Sequence, residues 1–509
     1  MWAGVAGAAQ AVSIAAPWNG QPQWGLQLLS LALLAGQLRR QPSARDAAFL
    51  GWCFALAWLS ATWWWLFISM HVYGGLPAPL AVMAVLLLAA SLGLYYALAA
   101  ALAWRLGRTG PVTGVCVFAA AWLLAELMRG VWFTGFPWGA GGYAHVEGPL
   151  AALAPWVGVY GIGFAAAIAA GLLAAWVLAV SDLGVRAAAR SARLWAASAA
   201  IGATLVLAHV VPAGQPGPTG ERLSLALLQG NIAQDEKFQP GSGIPMALDG
   251  YARALQASTA SLVVAPETAI PLLPDQLPAG YLEAIADHVR RANQAVLIGI
   301  PLGSFSAGYT NSVIGLGPQA TVYRYDKYHL VPFGEFIPPL FRWFTDLMQI
   351  PLGDFNRGRV DQASFEWRGQ RLAPNVCYED LFGEELARRF VDPALAPTIL
   401  VNVSNIAWFG NTVAIDQHLQ ISRMRALELR RPMIRATNTG ATALIDANGT
   451  VHQLLARHTR GVLEGEVQGY TGLTPFVRWA SVWGLGPAWG LALAIIFVAM
   501  GRQWRLRRA

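Results

Sequence analysis

The stretch RLAPNVCYEDLFGEEL, residues 371–386, joins an apolar, strand-like run to a cysteine and a series of carboxylates. Cys377 ends the run and precedes a helix-like pattern, whereas Cys53 and Cys116 lie inside strongly apolar stretches. A thiol attacks as the thiolate, so a reactive cysteine needs a lowered pKa or a neighbouring base. Because a helix N-terminus favours negative charge, the stretch predicts a reactive thiol at a strand end. The alternative is a buried cysteine that acts only as a small hydrophobic residue.

Similar strand-like runs recur between residues 220 and 469, and helical patterns separate several of them. SLVVAPE, AVLIGI and TILVNVS are typical of strands, and YLEAIADHVRRANQ is typical of a helix. Strands that alternate with helices favour an α/β unit, and continuous apolar strands favour burial on both faces. The segment therefore predicts one α/β domain whose sheets are covered by helices.

Charged side chains follow three strand-like runs of this domain, and strand ends are where α/β folds assemble their sites. The candidates are Glu267 in VVAPETAIP, Lys327 and Glu335 in YRYDKYHLVPFGEF, and Cys377 and Glu379 in NVCYEDLFGEE. No histidine is close to Cys377 in the sequence, so either His329, from further away, or Glu267 could act as the base for the thiol. Lys327 could stabilise a thiolate and then the oxyanion of a tetrahedral intermediate.

Each candidate also has a purely structural interpretation. Glu267, which follows a proline, could be a surface or capping carboxylate, and Lys327 could be a solvated strand residue. Cys377 has no second cysteine in its domain with which to form a disulfide, so a free thiol is expected. Cys377 and the scattered histidines lack the spacing of a zinc site, so the sequence predicts no metal.

The composition is that of a membrane protein. The chain of 509 residues is 55% hydrophobic and only 12% charged, whereas soluble domains average about 25% charged residues. Much of the net charge of +7 lies in short loops between apolar runs, not in basic patches interleaved with aromatic residues. The pattern therefore indicates membrane topology and excludes a nucleic-acid partner.

Eight stretches are predicted to span a membrane, and the first two are the weakest. They cover residues 2–16, 24–37, 47–69, 80–103, 111–127, 157–180, 194–211 and 485–500. The alternative for the first stretch is a cleaved signal peptide, because SIAA ends in small residues. However, no lysine or arginine precedes this stretch, and a signal peptide has a positive n-region.

Arginines alternate between the two sides of these predicted spans. One set of loops, together with the C-terminal tail, holds Arg39, Arg40, Arg45, Arg105, Arg108, Arg186, Arg190, Arg193, Arg502, Arg505, Arg507 and Arg508. The opposite loops hold only Arg129. The positive-inside rule places the first set in the cytoplasm. Residues 1–211 would then carry seven spans, residues 212–476 the outer domain, and residues 477–509 the eighth span and a basic tail.

The motifs PET, DKYHLVPFGE and NVCYED resemble the nitrilase, or carbon–nitrogen hydrolase, superfamily, which has a Glu–Lys–Cys site. With its spans, the whole chain resembles the apolipoprotein N-acyltransferase family of bacterial membrane enzymes. LLQGNIAQDEKF, NVSNIAWFG and ELMRGVWFTGFPWGAGGY also carry this resemblance. It implies an α-helical membrane bundle of about eight spans that carries a nitrilase-like α-β-β-α sandwich.

The resemblance assigns roles to the candidate residues. It implies that Cys377 is the nucleophile, Glu267 the general base and Lys327 the oxyanion stabiliser. It also implies that the carboxylates of Glu335 and Glu379 support the site.

The resemblance further implies a two-step reaction in the bacterial inner membrane, with the catalytic domain in the periplasm. A phospholipid acyl donor would leave its acyl chain on the cysteine as a thioester. The α-amino group of a diacylated apolipoprotein would then accept the acyl chain. No cofactor takes part, and a monomer is expected.

Four apolar side chains are expected to bind the lipid substrates: Phe238, Leu347, Met348 and Trp408. The stretch FRWFTDLMQIPLGDFNRG, residues 341–358, could dip toward the bilayer or be an ordinary packed loop. Polar replacement of Leu347 or Met348 is expected to slow turnover with little loss of folding. The family commonly has an acidic residue where this chain has Ile406.

Two other functions stay open. A membrane-tethered amidase would use the same domain with water as the acceptor and would release free acid or ammonia. A lipid transporter would need charged groups that face a cavity inside the membrane. Glu126 and Arg129 are the main candidates for such groups.

Overall fold

The computed structural model describes residues 2–214, 216–319, 321–337 and 354–508. Leu347 and Met348, two of the expected lipid contacts, lie outside the described residues. The chain forms two compact units. The first comprises Met1–Trp64, Pro79–Ala213 and Trp483–Ala509, and the second comprises Trp65–Ala78 and Gly214–Val482.

The first unit consists of apolar helices. They are Trp2–Val12, Trp24–Arg39, Ala44–Thr62, Ala78–Leu106, Pro111–Val131, Ala154–Leu183, Val185–Ala189, Ala192–Val210 and Gly486–Arg508. Within the described residues, four helical stretches are long and apolar enough to cross a membrane, and two bent pairs of helices raise the number to six. The chain is therefore a membrane protein with about four to six such helices.

The first two predicted spans are shorter than a typical span. Trp2–Val12 has 11 residues and Trp24–Arg39 has 16, whereas about 20 residues cross a bilayer. The number of eight spans therefore stays a prediction.

Glycines let the helices of this unit approach closely. A Cβ on Gly7 would collide with the carbonyl oxygen of Phe54, and a Cβ on Gly51 would lie 2.8 Å from that of Tyr96. Close packing between small residues is a main source of helix association in lipid, where apolar burial gives little driving force.

The second unit contains two six-stranded sheets. The strands are β1 (Pro218–Gln229), β2 (Leu262–Val264), β3 (Ala295–Ser304), β4 (Gly308–Leu316), β5 (Tyr323–Asp326), β6 (Phe365–Trp367), β7 (Gln370–Val376), β8 (Ile399–Ser404), β9 (Met433–Thr437), β10 (Ala443–Ile445), β11 (Val451–Leu454) and β12 (Gly461–Tyr470). One sheet has the order β12-β1-β2-β3-β4-β5, and the other has the order β11-β10-β9-β8-β7-β6. In each sheet three strands run parallel, β1 to β3 and β7 to β9.

Apolar side chains of both sheets form one core. Val264 and Leu297 of the first sheet share it with Val376 of the second, and all three are fully buried. The helices Gly243–Ala257 and Tyr281–Ala292 supply apolar residues to a second core with the first sheet. The predicted nitrilase-like fold with two sheets is thus confirmed.

The ends of the strands position the candidate residues. Lys327 directly follows β5, Cys377 directly follows β7, and Glu267 comes shortly after β2. Val376 of β7 pairs with Val403 of β8. Ser404, the last residue of β8, therefore lies beside Cys377.

The prediction of a helix directly after Cys377 is wrong. Cys377–Leu381 is a 3-10 turn, and it is followed by the five-residue helix Gly383–Ala387. The carboxylate of Glu379 turns back and accepts the backbone N–H of Val376 at 2.7 Å. This bond holds a tight turn in place of a regular helix, so no long helix begins at the thiol.

Two helical stretches, Ala44–Thr62 and Leu66–Tyr73, cover the third predicted span, residues 47–69, and Trp65–Ala78 packs within the second unit. The bounds of this span stay a prediction. The Trp65 indole N–H donates to Gln417 Oε1 at 3.1 Å, and the Trp65 ring centroid lies 4.2 Å from that of Phe409. Hydropathy does not distinguish a tryptophan that packs on protein from one that faces lipid.

Candidate active site

Cys377 lies on a strained elbow between β7 and the 3-10 turn. Its φ is 51°, a left-handed value that residues other than glycine rarely adopt and that is frequent at functional sites. The side chain is half-buried. The hydroxyl of Ser404 donates a hydrogen bond to Sγ at 3.3 Å.

Glu267 is held through both of its carboxylate oxygens. Asn311 Nδ2 donates to Oε1 at 2.7 Å, and the backbone N–H of Asn405 donates to Oε2 at 2.8 Å. Oε1 also lies 3.6 Å from Lys327 Nζ. The carboxylate therefore has a fixed orientation beside an ammonium group.

Lys327 is only 1% exposed and is surrounded by carboxylates. Its Nζ lies 2.8 Å from Glu335 Oε2 and donates to Oε1 of the same residue at 2.9 Å. Burial alone would lower the pKa of Lys327, but Glu335 and Glu267 outweigh burial and raise it above its ordinary value. Lys327 is therefore a permanent cation at neutral pH.

Glu335 fixes this cation, as the resemblance implies for a supporting carboxylate. The backbone N–H of Val331 donates to Oε2 at 2.8 Å, and Asn311 Nδ2 donates to Oε1 at 2.7 Å. Asn311 thus bridges Glu267 and Glu335. Asn311 could not be predicted from the sequence, because one polar residue in the strand-like pattern YTNSVIGL carries no distinctive signal.

Glu379 ties the Cys377 elbow to the segment that carries Lys327. Besides its bond to Val376, it accepts the Tyr325 hydroxyl at 2.8 Å and the backbone N–H of Tyr328 at 2.7 Å. Burial raises the pKa of Glu379 despite these hydrogen bonds. Its contacts are those of a residue that positions its neighbours.

His329, the alternative base, lies against other groups. Its Nδ1 is 3.0 Å from Glu385 Oε1, and its ring stacks on Phe382 with centroids 3.5 Å apart. Glu267 instead acts electrostatically on the Cys377 thiol. Of the two candidate bases, Glu267 is the one whose charge raises the pKa of the Cys377 thiol.

The resting thiol of Cys377 is protonated. Burial and the negative charge of Glu267 raise its pKa to about 12, although Lys327 and the Ser404 hydroxyl oppose this increase. The lowered pKa expected from a helix N-terminus is therefore not found, since the neighbouring carboxylate and burial dominate. Attack by this sulfur needs a base that removes the proton as the reaction proceeds.

A buried polar network lies behind the elbow. His418 Nε2 is 3.2 Å from the Cys377 carbonyl oxygen and 2.9 Å from Asp380 Oδ1. Asp380 Oδ2 accepts hydrogen bonds from Ser422 and Arg435. Burial would raise the pKa of Asp380, but His418 and Arg435 hold it below its ordinary value. This network, which could not be predicted from the sequence, fixes the elbow from inside the domain.

The two described lipid-contact candidates are at least partly accessible. Phe238 is 39% exposed, and the ring centroid of Trp408 lies 5.9 Å from that of Tyr73. Ile406, which stands where the family commonly has an acid, is buried. Across the described ranges, no group of three or more His, Cys, Asp and Glu side chains is placed to hold a metal ion.

Two family descriptions match most of the chain. Residues 7–172 match the apolipoprotein N-acyltransferase N-terminal domain, and residues 224–476 match the carbon–nitrogen hydrolase family. Among solved structures, a CN-hydrolase superfamily protein from Xanthomonas campestris is similar to part of this chain. The match covers 52% of this chain and 97% of that protein, with a TM-score of 0.36 and 19% identity.

Similarity to full-length relatives extends over both units. The apolipoprotein N-acyltransferase of Verminephrobacter eiseniae is 58% identical, covering 100% of this chain and 97% of the relative. The apolipoprotein N-acyltransferase of Ralstonia nicotianae is 48% identical, and the match covers 95% of this chain and 90% of the relative. These matches confirm the resemblance found in the sequence motifs. The chain belongs to the apolipoprotein N-acyltransferase family.

Proposed function

We propose that the chain acylates the N-terminal α-amino group of a diacylated apolipoprotein and that a phospholipid is the acyl donor. The observation that carries this proposal is the grouping of a thiol, a carboxylate and an ammonium at the strand ends of a hydrolase-like domain. Lys327 Nζ lies 3.6 Å from Glu267 Oε1, and both groups act electrostatically on Cys377. Such a set supports covalent acyl transfer.

In the first half-reaction, Glu267 takes the proton of the Cys377 thiol as the sulfur attacks an ester carbonyl of the phospholipid. Lys327 Nζ stabilises the oxyanion of the tetrahedral intermediate. The ester C–O bond then breaks, and Glu267 returns the proton to the departing alkoxide. The products are a thioester on Cys377 and a lysophospholipid.

In the second half-reaction, the α-amino group of the apolipoprotein attacks the thioester. An α-amine has a pKa of about 8, so the base need remove only the proton that becomes acidic as the C–N bond forms. Glu267 takes this proton and transfers it to the sulfur as the C–S bond breaks. An amide forms and the thiol is restored.

The fixed charges suit this cycle. Because the pKa of Lys327 is raised, its ammonium keeps its charge in both half-reactions and can stabilise each oxyanion. Because the Cys377 thiol has a pKa of about 12, it stays protonated and unreactive until substrate and base act together. Glu335 and Glu379 hold the groups in position.

We propose that the enzyme is a monomer in the bacterial inner membrane with eight spans and both termini in the cytoplasm. Residues 1–211 would carry seven spans, residues 212–476 the periplasmic catalytic domain, and residues 477–509 the last span and the basic tail. The alternation of arginine-rich and arginine-poor loops supports this topology. Phe238, Trp408, Leu347 and Met348 would contact the lipid substrates.

The test is mass spectrometry of the purified protein after incubation with a phospholipid of one defined acyl chain. We expect an adduct of that acyl mass on Cys377 that hydroxylamine removes. Addition of a diacylated lipopeptide should then transfer the acyl chain to the peptide amine. Absence of a labile adduct on Cys377 would mean that the scheme is wrong.

The control separates transfer from hydrolysis. Cys377→Ala should form no adduct, and Cys377→Ser should form an ester adduct only slowly. If the wild-type adduct decays to free fatty acid at the same rate with and without lipopeptide, water is the acceptor and the chain is a hydrolase.

A further inference from the structure

The chain uses lysine at only two places. Of its 35 lysine and arginine residues, only Lys237 and Lys327 are lysines. Both belong to the largest fully buried side chains of the molecule. An arginine is always charged, whereas a buried lysine can lose its charge near neutral pH. Both lysines stand at buried positions of the second unit.

Lys237 reaches the candidate base from a different segment than Lys327 does. It lies in the turn after β1, and its Nζ donates to the main-chain oxygen of Glu267 at 3.0 Å. The side chain of Asn405 donates to Gln234 Oε1 of the same turn at 2.8 Å. The backbone N–H of Asn405 in turn binds the Glu267 carboxylate. Lys237 thus belongs to a set of contacts that fixes Glu267.

The turn is packed so that Lys237 has little freedom. A Cβ on Gly243 would collide with the carbonyl oxygen of Glu236 and lie 2.9 Å from the Cα of Lys237. The side chain of Lys237 is 2% exposed. Only a glycine at position 243 lets the following helix approach this turn so closely.

The two lysines differ in their electrostatic surroundings. Lys327 is paired with carboxylates, whereas the Lys237 ammonium bonds to a neutral carbonyl. Burial lowers the pKa of Lys237 to about 8, and the titratable groups that oppose this decrease are Glu267 after β2 and Cys377 after β7. Lys237 is therefore charged below about pH 8 and neutral above it, and its charge acts on both acids of the proposed proton transfer.

We propose that Lys237 is a further positioning residue of the active site, which holds Glu267 through its main-chain oxygen and stabilises the negative charge shared by Glu267 and Cys377 during acylation. This inference rests on the proposed function. In this role Lys237 supplies a positive charge while the thiol proton is transferred. Lys327 remains the cation that faces the oxyanion.

The test is the pH dependence of thioester formation in a single turnover. At pH 7, Lys237→Met should form the Cys377 thioester about 10-fold more slowly, because one favourable charge is lost. The wild-type rate should fall above pH 8, where Lys237 loses its proton, and Lys237→Met should lack this decrease. Lys237→Arg should keep its pH 7 rate up to pH 9. Arg253→Met, which removes an exposed cation of the same unit, is the matched control.

A direct titration keeps the proposal testable even if Lys237→Met does not fold. Because the chain has only two lysines, labelling with [ε-13C]lysine gives two side-chain signals in NMR, and Lys327→Met assigns them. We expect the Lys237 signal to titrate near pH 8, and at lower pH in Glu267→Gln, which removes the negative charge that opposes the effect of burial. A Lys237 signal that titrates below pH 6, so that the amine is neutral at pH 7, overturns the proposal.

The outcomes separate a failure of the proposed function from a failure of the proposed role of Lys237. If the wild type forms no thioester, the proposed function itself is wrong. If the wild type forms it and Lys237→Met forms it equally fast with the same pH profile, only the role of Lys237 is wrong.

Discussion

Two regions of the molecule bury charged side chains, and they bind them in different ways. In the helical unit, Arg129 is 1% exposed and donates to oxygens of its own unit. These oxygens are the Tyr96 hydroxyl at 2.9 Å, the Phe136 carbonyl at 2.6 Å and the Trp138 carbonyl at 3.0 Å. In the second unit, Lys327 is bound by two carboxylates and acts on a thiol.

The difference lies in what each cation can do. The guanidinium of Arg129 has several N–H donors in one plane, so it can hold two main-chain carbonyl oxygens of a turn at the same time. The nearby Glu126 likewise accepts the backbone N–H of Gly141 at 2.8 Å. These contacts fit a structural role and give no support to the transporter alternative. Lys327, in contrast, lies among groups that can exchange a proton or carry an oxyanion.

The largest effect should come from the sulfur itself. Cys377→Ala should lower acyl transfer by about 10⁴-fold or more, because a nucleophile cannot be replaced by its neighbours. Cys53→Ala and Cys116→Ala should leave transfer unchanged, since both thiols lie in the apolar helices of the first unit. Transfer to a lipopeptide is the measurement. A fully active Cys377→Ala would remove the basis for comparing the two regions.

The next effect should come from the cation beside the sulfur. Lys327→Met should slow thioester formation about 10²- to 10³-fold, the usual cost of a lost oxyanion donor. Arg324→Met removes a half-exposed cation of β5, the strand that Lys327 directly follows. This variant should leave the rate unchanged. Single-turnover acylation measures both variants. An equal decrease of the acylation rate in both variants would mean that the loss of any positive charge at or near β5 slows the reaction.

The part of the site that could be predicted consists of residues that stand in recognisable short motifs. Cys377, Glu267 and Lys327 stand in short motifs after apolar strands, so their neighbourhood could be read from the sequence. Asn311 and His418 have no such signal, because each is a single polar residue whose importance depends on a partner far away in the chain. Tertiary contacts create these hydrogen bonds, and no local pattern encodes them.

The fold shows the same limit. The alternation of strands and helices predicted an α/β domain with sheets covered by helices, and the resemblance to the nitrilase superfamily implied the two-sheet sandwich. The turn after Cys377 differs from the predicted helix because Glu379 bonds back to the backbone of Val376. Trp65, which lies within the span predicted over residues 47–69, packs on Phe409 of the second unit. In the first case a hydrogen bond between residues three apart replaces the helical pattern, and in the second case the contact partner lies far away in the chain.

In the helical unit the prediction concerns stability. Arg129→Met should lower the free energy of unfolding by about 3 kcal/mol, because the buried oxygens that Arg129 binds lose their donor and Glu126 stays buried. The folded fraction should still acylate Cys377 at the wild-type rate. Arg105→Met, at an exposed helix end, should change neither quantity. Thermal unfolding in detergent together with single-turnover acylation tests this. If folded Arg129→Met lost acylation, the cation of the helical unit would be part of the chemistry.

The smallest effect should come from the apolar side chain proposed to contact lipid. Phe238 is 39% exposed, and replacement by alanine removes apolar area that the acyl chain could cover. Loss of part of one ring contact corresponds to somewhat under 1 kcal/mol, so KM for the phospholipid should rise about threefold while kcat stays unchanged. Phe305→Ala is the matched control, since Phe305 is 74% exposed on a hairpin of the same unit. If both variants raise KM equally, the effect belongs to general surface hydrophobicity. If only Phe238→Ala does so, the result supports lipid binding next to the turn that contains Lys237, in the same unit as Lys327.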